Sequence, residues 1–203
     1  KKLARLLAFV LRVGNRMNQG TRRAHAKGFK LDSLLKLTDT KAHDHKMTLL
    51  HYIVSLLSKQ EPEILGVSQE LTVVSVASKL SLDDISYEVS LFVKNVELLG
   101  KEIQQQQLLL GAEAASSEDA IAAKAAYEDA LQRQLKLKSD WEFVRSQFQH
   151  VATYLGENGA KAKIHDVFGT LVSFFEMIDK CVRDNAVNKS PTHMTAPRND
   201  SWK

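Results

Sequence analysis

Apolar side chains recur along most of the chain at the spacing of one face of an α-helix. Near the start this spacing is followed by Leu3, Leu6, Leu7, Val10 and Leu11. Gly14 is expected to end that first helix, and residues 14 to 32 are expected to form a structured loop. The pattern further predicts a short apolar element at Leu34–Leu37, a helix from about Thr48 to Lys59, and a last helix from about Ile164 to Val182.

Two heptad patterns occupy the middle of the chain, with steps that alternate between three and four residues. The first runs through Ile85, Val89, Phe92, Val96, Leu99, Ile103, Gln106 and Leu110. The second runs through Ala120, Ala123, Tyr127, Ala130, Gln134, Leu137, Trp141, Val144, Phe148, Val151 and Leu155. The break at Gly111–Ser117, where Ser116 or Ser117 can cap the second helix, predicts an antiparallel hairpin over residues 85–155.

These patterns predict an all-α protein, an elongated helical bundle with an antiparallel coiled-coil hairpin. Composition agrees, because aromatic residues make up 7% of the chain and its 3 prolines leave long stretches without a helix breaker. Residues 185–203 lose the periodicity and are expected to form a flexible tail. Because the sequence of 203 residues begins with Lys1 inside a helical pattern, we expect it to be cut from a longer chain.

Charge and cysteine content limit the cellular setting more than the activity. The net charge of +4 suits an acidic partner without distinguishing protein, nucleic acid or membrane. Cys181 is the only cysteine, so an internal disulfide is impossible and a reducing compartment is expected. No apolar run reaches the roughly 18 residues of a transmembrane helix, so no membrane span is expected.

Candidate catalytic and metal-binding groups are sparse. His43, Asp44 and His45, with His51 downstream, hint at a metal site, but they lack a second matching pair and a solvated loop is the favoured interpretation. His165 and Asp166 resemble half of a catalytic dyad without a framed nucleophile, and Asp166 is expected in the first turn of the last helix. We therefore expect no enzymatic activity, no metal and no cofactor.

A basic cluster lies in the predicted loop near the start of the chain. Its members are Arg16, Arg22, Arg23, Lys27 and Lys30. Such a cluster favours phosphate groups in a salt-dependent way, but Phe29 is its only aromatic neighbour and no nucleic-acid-binding motif surrounds it. Nucleic acid is therefore not the expected partner.

Four ordered blocks between Gly14 and His51 closely resemble the post subdomain of the formin homology 2 domain, the actin-assembling module of formins. They are Gly14-Asn15-Arg16-Met17-Asn18-Gln19-Gly20, Gly28-Phe29-Lys30-Leu31, Asp39-Thr40-Lys41 and Thr48-Leu49-Leu50-His51. Tyr154-Leu155-Gly156-Glu157-Asn158 resembles a later block of the family, and the heptad hairpin falls where formins carry a coiled coil. The resemblance covers residues 1 to about 185, and residues 1–184 are expected to form the C-terminal half of the domain.

The resemblance implies a binding role with specific contacts. In the family, the first block helps to hold an N-terminal lasso of the partner subunit, so Gly14, Asn15, Arg16, Met17, Asn18 and Gly20 are the expected lasso dock. Arg16 stands where many members have Tyr, so one aromatic contact to the lasso is expected to be replaced by a cation–π or stacking contact. Lys30 corresponds to a family residue that contacts actin, with an ordinary solvated lysine as the alternative.

The resemblance also implies partners and a location for the parent protein. It is expected to be a homodimer through lasso–post exchange, to nucleate actin filaments and to remain at the growing barbed end, in the cytoplasmic actin cytoskeleton. The lasso, linker and knob are absent from this sequence, and so is the proline-rich segment that would bind profilin. The alternative is a helical coiled-coil adaptor or scaffold that does not bind actin.

Overall fold

The computed structural model describes residues 1–41, 47–114 and 117–187, and over these it is all-α, as predicted. The chain separates into two compact units, one formed by Lys1–Leu80 with the segment from Val151 onward, and the other by Ser81–His150. No helix in the described part of the chain combines the length and the apolar character needed to cross a membrane.

The first unit is built from helices that surround α7. Its α-helices are α1 (Lys2–Met17), α2 (Leu49–Gln60), α3 (Val67–Glu70), α4 (Thr72–Ala77) and α7 (Ile164–Val187). Two 3₁₀ helices, Leu31–Thr38 and Pro62–Gly66, connect them. α7 packs against α2, α3, α4 and the first 3₁₀ helix, which makes it the centre of the unit.

The core of this unit contains side chains that are completely removed from solvent. They include Leu6, Leu34, Leu50, Ile53, Leu57, Ile64 and Phe174. Each buried aliphatic or aromatic side chain contributes about 1.5–3 kcal/mol to folding by leaving water. The residues come from α1, α2, α7 and both 3₁₀ helices, so the loop that follows α1 is attached to a fixed body.

The start of α2 and the end of α7 are joined by a polar contact around His51. Thr48 caps α2, because its side-chain oxygen accepts a hydrogen bond from the backbone N–H of His51 at 3.3 Å. His51 Nδ1 lies 2.7 Å from the same oxygen, and His51 Nε2 lies 3.4 Å from Asp184 Oδ2. Asn185 donates to the backbone carbonyl of His51 at 3.0 Å. His51 is therefore engaged in helix packing.

α1 is longer than the sequence pattern predicts. We expected Gly14 to end the helix, but the helix continues to Met17, and Asn18 takes the C-cap position with its N–H bonded to Gly14 O at 3.0 Å. A helical glycine costs only about 1 kcal/mol relative to alanine, and tertiary contacts outweigh that cost. The left-handed residue after the helix is Gly20, with φ of 86°.

Other differences concern segments without a strong pattern. No sequence pattern predicts α3 and α4, which are short and carry few buried side chains. The last helix continues to Val187, past the predicted end near Val182. The remainder of the expected tail, residues 188–203, and the His43-Asp44-His45 cluster lie outside the described residues.

The second unit consists of most of α5 (Leu82–Ala114) and α6 (Glu118–Tyr154). Ser117 caps α6, since its Oγ accepts from Ala120 N at 3.2 Å, and Glu118 and Asp119 occupy the first turn. The ring of Tyr127 lies against Gly100. Gly100 precedes the break between the helices and Tyr127 follows it at a comparable distance, so the two helices pack as antiparallel neighbours.

Gly100, which is not part of the predicted heptad pattern, contacts α6 through Tyr127, next to the heptad residue Leu99, which is 39% exposed. A Cβ added at Gly100 would lie 2.5 Å from Tyr127 Oη. The glycine therefore makes room for the tyrosine, which a pattern of apolar residues alone does not reveal.

This packing predicts a coupling between the two positions in a double-mutant cycle. In the wild-type hairpin Gly100→Ala is expected to stabilise by less than its helix propensity difference, because its methyl group must displace the tip of the Tyr127 side chain. In a Tyr127→Ala background the same change is expected to stabilise the hairpin by up to about 1 kcal/mol, the helix propensity difference. Thermal unfolding followed by circular dichroism measures both steps. Equal effects in both backgrounds would contradict the contact.

Candidate docking groove and basic loop

α1 carries a wider apolar arc than the first unit buries. Leu6, Phe9 and Val10 are buried, whereas Leu7 and Leu11 remain half-exposed. An amphipathic helix normally turns its apolar arc to the core. The outer part of the arc is thus available to line a surface groove.

A groove of about 150 Å³ follows this outer arc, and we call it the α1 groove. Its walls come from α1, the following loop, the first 3₁₀ helix and α2. It is lined by Val10, Leu11, Gly14, Asn15, Asn18, Ala26, Gly28, Phe29, Ser33, Leu34, Leu37, Leu49 and Ile53. The lining is mainly apolar with a few amide and hydroxyl groups, the usual character of a binding cleft.

Gly14 leaves the α1 groove open. A Cβ built at this position would meet no atom within 4 Å, and the residue is helical without a positive φ. Neither close packing within the chain nor backbone conformation therefore requires glycine here. Since alanine would favour the helix by about 1 kcal/mol, the glycine preserves space next to the groove at some cost in stability.

Asn15 fixes the loop that forms one wall of the α1 groove. Its side-chain amide donates to Ala26 O at 2.9 Å, and its carbonyl oxygen accepts from Ala26 N at 2.8 Å. This pair of bonds closes the loop onto the last turn of α1. Asn18, also in the lining, forms no side-chain hydrogen bond within the described part of the chain, so its amide is available to a bound backbone.

A second cavity of about 300 Å³ shares Leu11, Gly28 and Phe29 with the α1 groove. It is lined further by Ala4, Leu7, Ala8, Leu31, Tyr154, Leu155 and Gly156. Shared walls make the two cavities neighbours along the surface of α1. An extended peptide fits such a pair better than a compact small molecule does.

The loop at residues 21–27, which we call the basic loop, is organised and positively charged. Thr21 Oγ1 donates to Asn18 O at 2.8 Å and accepts from Arg23 N at 3.1 Å. Arg22, Arg23 and Lys27 are exposed and form no ion pair within the described residues. Residues 14–31 contain no Asp or Glu, so no acidic residue within that stretch offsets the positive charge of the loop.

Lys30 is exposed between two residues that the structure holds in place. Leu31 is 4% exposed, and Phe29 is half-buried in the wall shared by both cavities. The outward position expected for Lys30 is thus observed. The pKa of the nearby Asp32 carboxyl is lowered, chiefly by a hydrogen bond from Lys36 and more weakly by the charges of Lys36 and Lys30. That carboxylate is engaged with Lys36, which leaves Lys30 without a direct ion pair in the described chain.

The other residues predicted for the dock occupy different positions. Arg16 is exposed on the last turn of α1, and Met17 is half-buried but does not line the α1 groove. Gly20 lies in the turn that follows. The structure thus brings Gly14, Asn15 and Asn18 together at the groove, whereas Arg16, Met17 and Gly20 belong to its surroundings.

Most of the groove lining was not predicted from the sequence. The sequence placed Leu34, Leu37 and Ile53 only in apolar elements. It placed Phe29 only in a block that resembles the formin homology 2 domain, and Leu49 in such a block and in a predicted helix. The available signal was the width of the apolar arc on α1, because Leu7 and Leu11 extend it beyond the buried stripe. Among the described residues, no group of three His, Cys, Asp or Glu side chains is arranged to hold a metal.

Comparison with known proteins assigns a family to this architecture. The family model described as the Formin Homology 2 Domain matches residues 1–179. Formin-like protein 3 of Oryza sativa subsp. japonica is 35% identical over 186 residues, which are 91% of this chain and 15% of that protein. Formin-like protein 14 of Arabidopsis thaliana is 32% identical over 189 residues, again 91% of this chain and 15% of the relative. The chain thus spans less than a sixth of the length of these relatives.

Proposed function

The chain belongs to the formin homology 2 family, and on that premise we propose that it is the post and coiled-coil part of a module that assembles actin filaments. In this proposal the α1 groove receives a lasso segment of a partner subunit, and Lys30 contributes to an actin contact. Two such subunits form a ring-like dimer that nucleates filaments and stays at the barbed end. The module works by binding and release, without a covalent step.

The observation that carries the dock is the open space beside Gly14. A helical glycine with a vacant Cβ position in the wall of an apolar groove is explained when another chain approaches the helix closely there. The neighbouring cavity extends the path along α1, which suits an extended segment. Asn18 can hydrogen-bond the backbone of that segment, since peptide groups removed from water need partners.

The actin contact is supported by the position of Lys30. The residue is exposed, and both chain neighbours fix its backbone on the first unit. A side chain on an ordered backbone loses less freedom on binding than one on a mobile segment. Its charge favours encounter with an acidic surface. Actin, in the cytoplasmic cytoskeleton, is accordingly the proposed partner.

Charge reversal at Lys30 tests the actin contact in a dimeric formin homology 2 domain that contains this chain. Lys30→Asp is expected to reduce actin nucleation and barbed-end binding at least tenfold, because the charge then repels an acidic surface. Helicity and melting temperature should change little, since Lys30 is exposed and forms no ion pair with the described residues. Pyrene–actin assembly and circular dichroism measure the two effects.

Lys79→Asp is the matched control, because Lys79 is also an exposed lysine of the first unit and does not line either cavity. It should retain normal assembly. Normal assembly by the folded Lys30→Asp variant would remove Lys30 from the contact. Failure of the wild-type domain to affect actin at all would favour the alternative of a coiled-coil scaffold.

A further inference from the structure

Three cations of the basic loop stand close together in the chain. We call them the loop cations, and they are Arg22, Arg23 and Lys27. All three are exposed, and none forms an ion pair with a described residue. Like charges on one short loop repel one another, and a ligand that carries several negative charges relieves that repulsion.

Hydrogen bonds hold the backbone that carries the loop cations. Ala24 N donates to Thr21 O at 3.1 Å, and the side chain of Asn15 forms two hydrogen bonds with the backbone of Ala26. Asn18 O, at the end of α1, accepts from both the backbone N–H and the hydroxyl of Thr21. Because the loop is ordered before a ligand arrives, fewer degrees of freedom are lost on binding.

The side chains around the loop cations favour phosphate over a protein surface. Residues 21–28 contain no Phe, Tyr, Trp or large aliphatic residue. Stable protein interfaces are centred on large aromatic or apolar anchors, and the loop offers none of its own. Two adjacent guanidinium groups, in contrast, suit phosphate oxygens, which they bind through paired N–H···O hydrogen bonds.

The small extent of the basic loop favours a compact headgroup over nucleic acid. Single-stranded nucleic acid is bound largely by stacking of its bases on aromatic side chains, and His25 is the only aromatic ring in residues 21–28. A duplex spreads its phosphates along its whole length, whereas the loop cations all lie within residues 22–27. An inositol ring with two or three phosphates concentrates its negative charge within reach of one such loop.

We propose that the basic loop binds the phosphorylated headgroup of an inositol lipid at a membrane surface. The loop cations pair with the phosphate oxygens, so the first unit binds to the surface of the bilayer through its charge. This site is separate from the proposed dock, because no loop cation lines the α1 groove or the neighbouring cavity. It also does not involve Lys30, so it is independent of the proposed actin contact.

Vesicle co-sedimentation of the full 203-residue chain tests the proposal. Phosphatidylcholine vesicles contain either about 5% phosphatidylinositol 4,5-bisphosphate or about 20% phosphatidylserine, which gives similar surface charge because the inositol lipid carries about four charges. The chain should bind the inositol lipid vesicles at least tenfold more tightly. Equal binding to both vesicles would show attraction to diffuse charge alone and would overturn headgroup recognition. Absence of binding to either vesicle would also overturn it.

A variant that lacks the loop cations locates the site. Combined Arg22→Gln, Arg23→Gln and Lys27→Gln should weaken binding to the inositol lipid vesicles about a hundredfold, since each cation near an anionic surface contributes about fivefold in affinity. Circular dichroism should show unchanged helicity, because all three side chains are exposed.

The matched control removes three exposed lysines from other parts of the first unit. It combines Lys59→Gln, Lys79→Gln and Lys180→Gln, so its net charge equals that of the loop variant. The control should bind within about threefold of the wild-type chain, because its lysines are not gathered on one loop. Equal losses in the two variants would attribute binding to net charge and overturn the site.

Soluble competitors identify the chemistry that the basic loop recognises. Inositol 1,4,5-trisphosphate should release the chain from the vesicles at concentrations at which inorganic phosphate does not, because it presents several phosphates together. NMR of the ¹⁵N-labelled chain should then show shifts centred on residues 21–27. Failure of inositol trisphosphate to compete would overturn headgroup recognition. Tighter binding of oligouridylate than of the vesicles, lost in the loop variant, would make a nucleic acid the partner instead.

Discussion

Gly14→Leu is expected to abolish binding in the α1 groove and at the same time to stabilise the chain. The added side chain starts from a Cβ position with no neighbour within 4 Å and extends from there into the groove that Gly14 lines. Replacing a helical glycine by leucine improves helix propensity by roughly 0.5–1 kcal/mol. A variant that gains stability while losing binding identifies space kept for a partner.

Two measurements test the effects of Gly14→Leu on dimer formation and on stability. Analytical ultracentrifugation of a dimeric formin homology 2 domain should show at least a hundredfold weaker dimer, because an occluded anchor pocket removes a central contact. The melting temperature of the 203-residue chain should rise by about 2 °C. Gly169→Ala is the control, since Gly169 is also helical and lies outside both cavities. An unchanged dimer with leucine at position 14 would refute the dock at this groove.

Sequence periodicity was sufficient to predict the elements in which one face of a helix is buried. α2, α5, α6 and α7 were predicted because their apolar residues repeat over several turns. The Ser117 cap and the antiparallel pairing also followed from local signals, a capping residue and a short break between two heptad patterns. These features depend on interactions between residues close in sequence or on a regular seam.

Features that depend on a single contact between distant residues were not predictable. Gly14 is a plausible helix end in sequence, and no local signal predicts that the helix continues past it or that the space beside it is open. The contact of Gly100 with the Tyr127 ring of the other helix is not part of the heptad pattern. The lining of the α1 groove likewise combines four separate elements, none of which signals the cavity by itself.

Part of the site was nevertheless accessible before the structure. Family resemblance directed attention to Gly14, Asn15 and Asn18, and these three line the groove. The resemblance does not distinguish these three residues from Arg16 and Met17. Every residue of the block resembles the family, whether or not its side chain lines the groove. The structure distinguishes them, because the side chains of successive helical residues point about 100° apart around the helix axis and only some of them face the groove.

Phe174→Ala is expected to destabilise the first unit by about 3–5 kcal/mol. Phe174 lies at the middle of α7 with no exposed surface, and its ring centroid is 6.3 Å from that of Phe175. Truncation removes the transfer free energy of the ring and leaves a cavity among fixed neighbours. Phe143→Ala, which changes a phenylalanine that is 65% exposed, should cost about 0.5 kcal/mol or less.

Cys181 provides a reporter of this loss within the same helix. Its thiol is buried, and desolvation raises its pKa from 9.0 to about 11. A thiol with a raised pKa stays protonated in the folded chain, whereas the unfolded thiol ionises near its ordinary value. Labelling by a thiol reagent at pH 8 therefore proceeds mainly through opened molecules.

The loss of stability in Phe174→Ala can be read from the ratio of the Cys181 labelling rates in the variant and in the wild type. A decrease of 3 kcal/mol in unfolding free energy raises the open population, and hence the labelling rate of Cys181, by about a hundredfold. Phe143→Ala should label at nearly the wild-type rate. Wild-type labelling kinetics in Phe174→Ala would show that Cys181 reacts through a local opening that does not involve the core around Phe174, and α7 would then not unfold together with the groove walls that it supports.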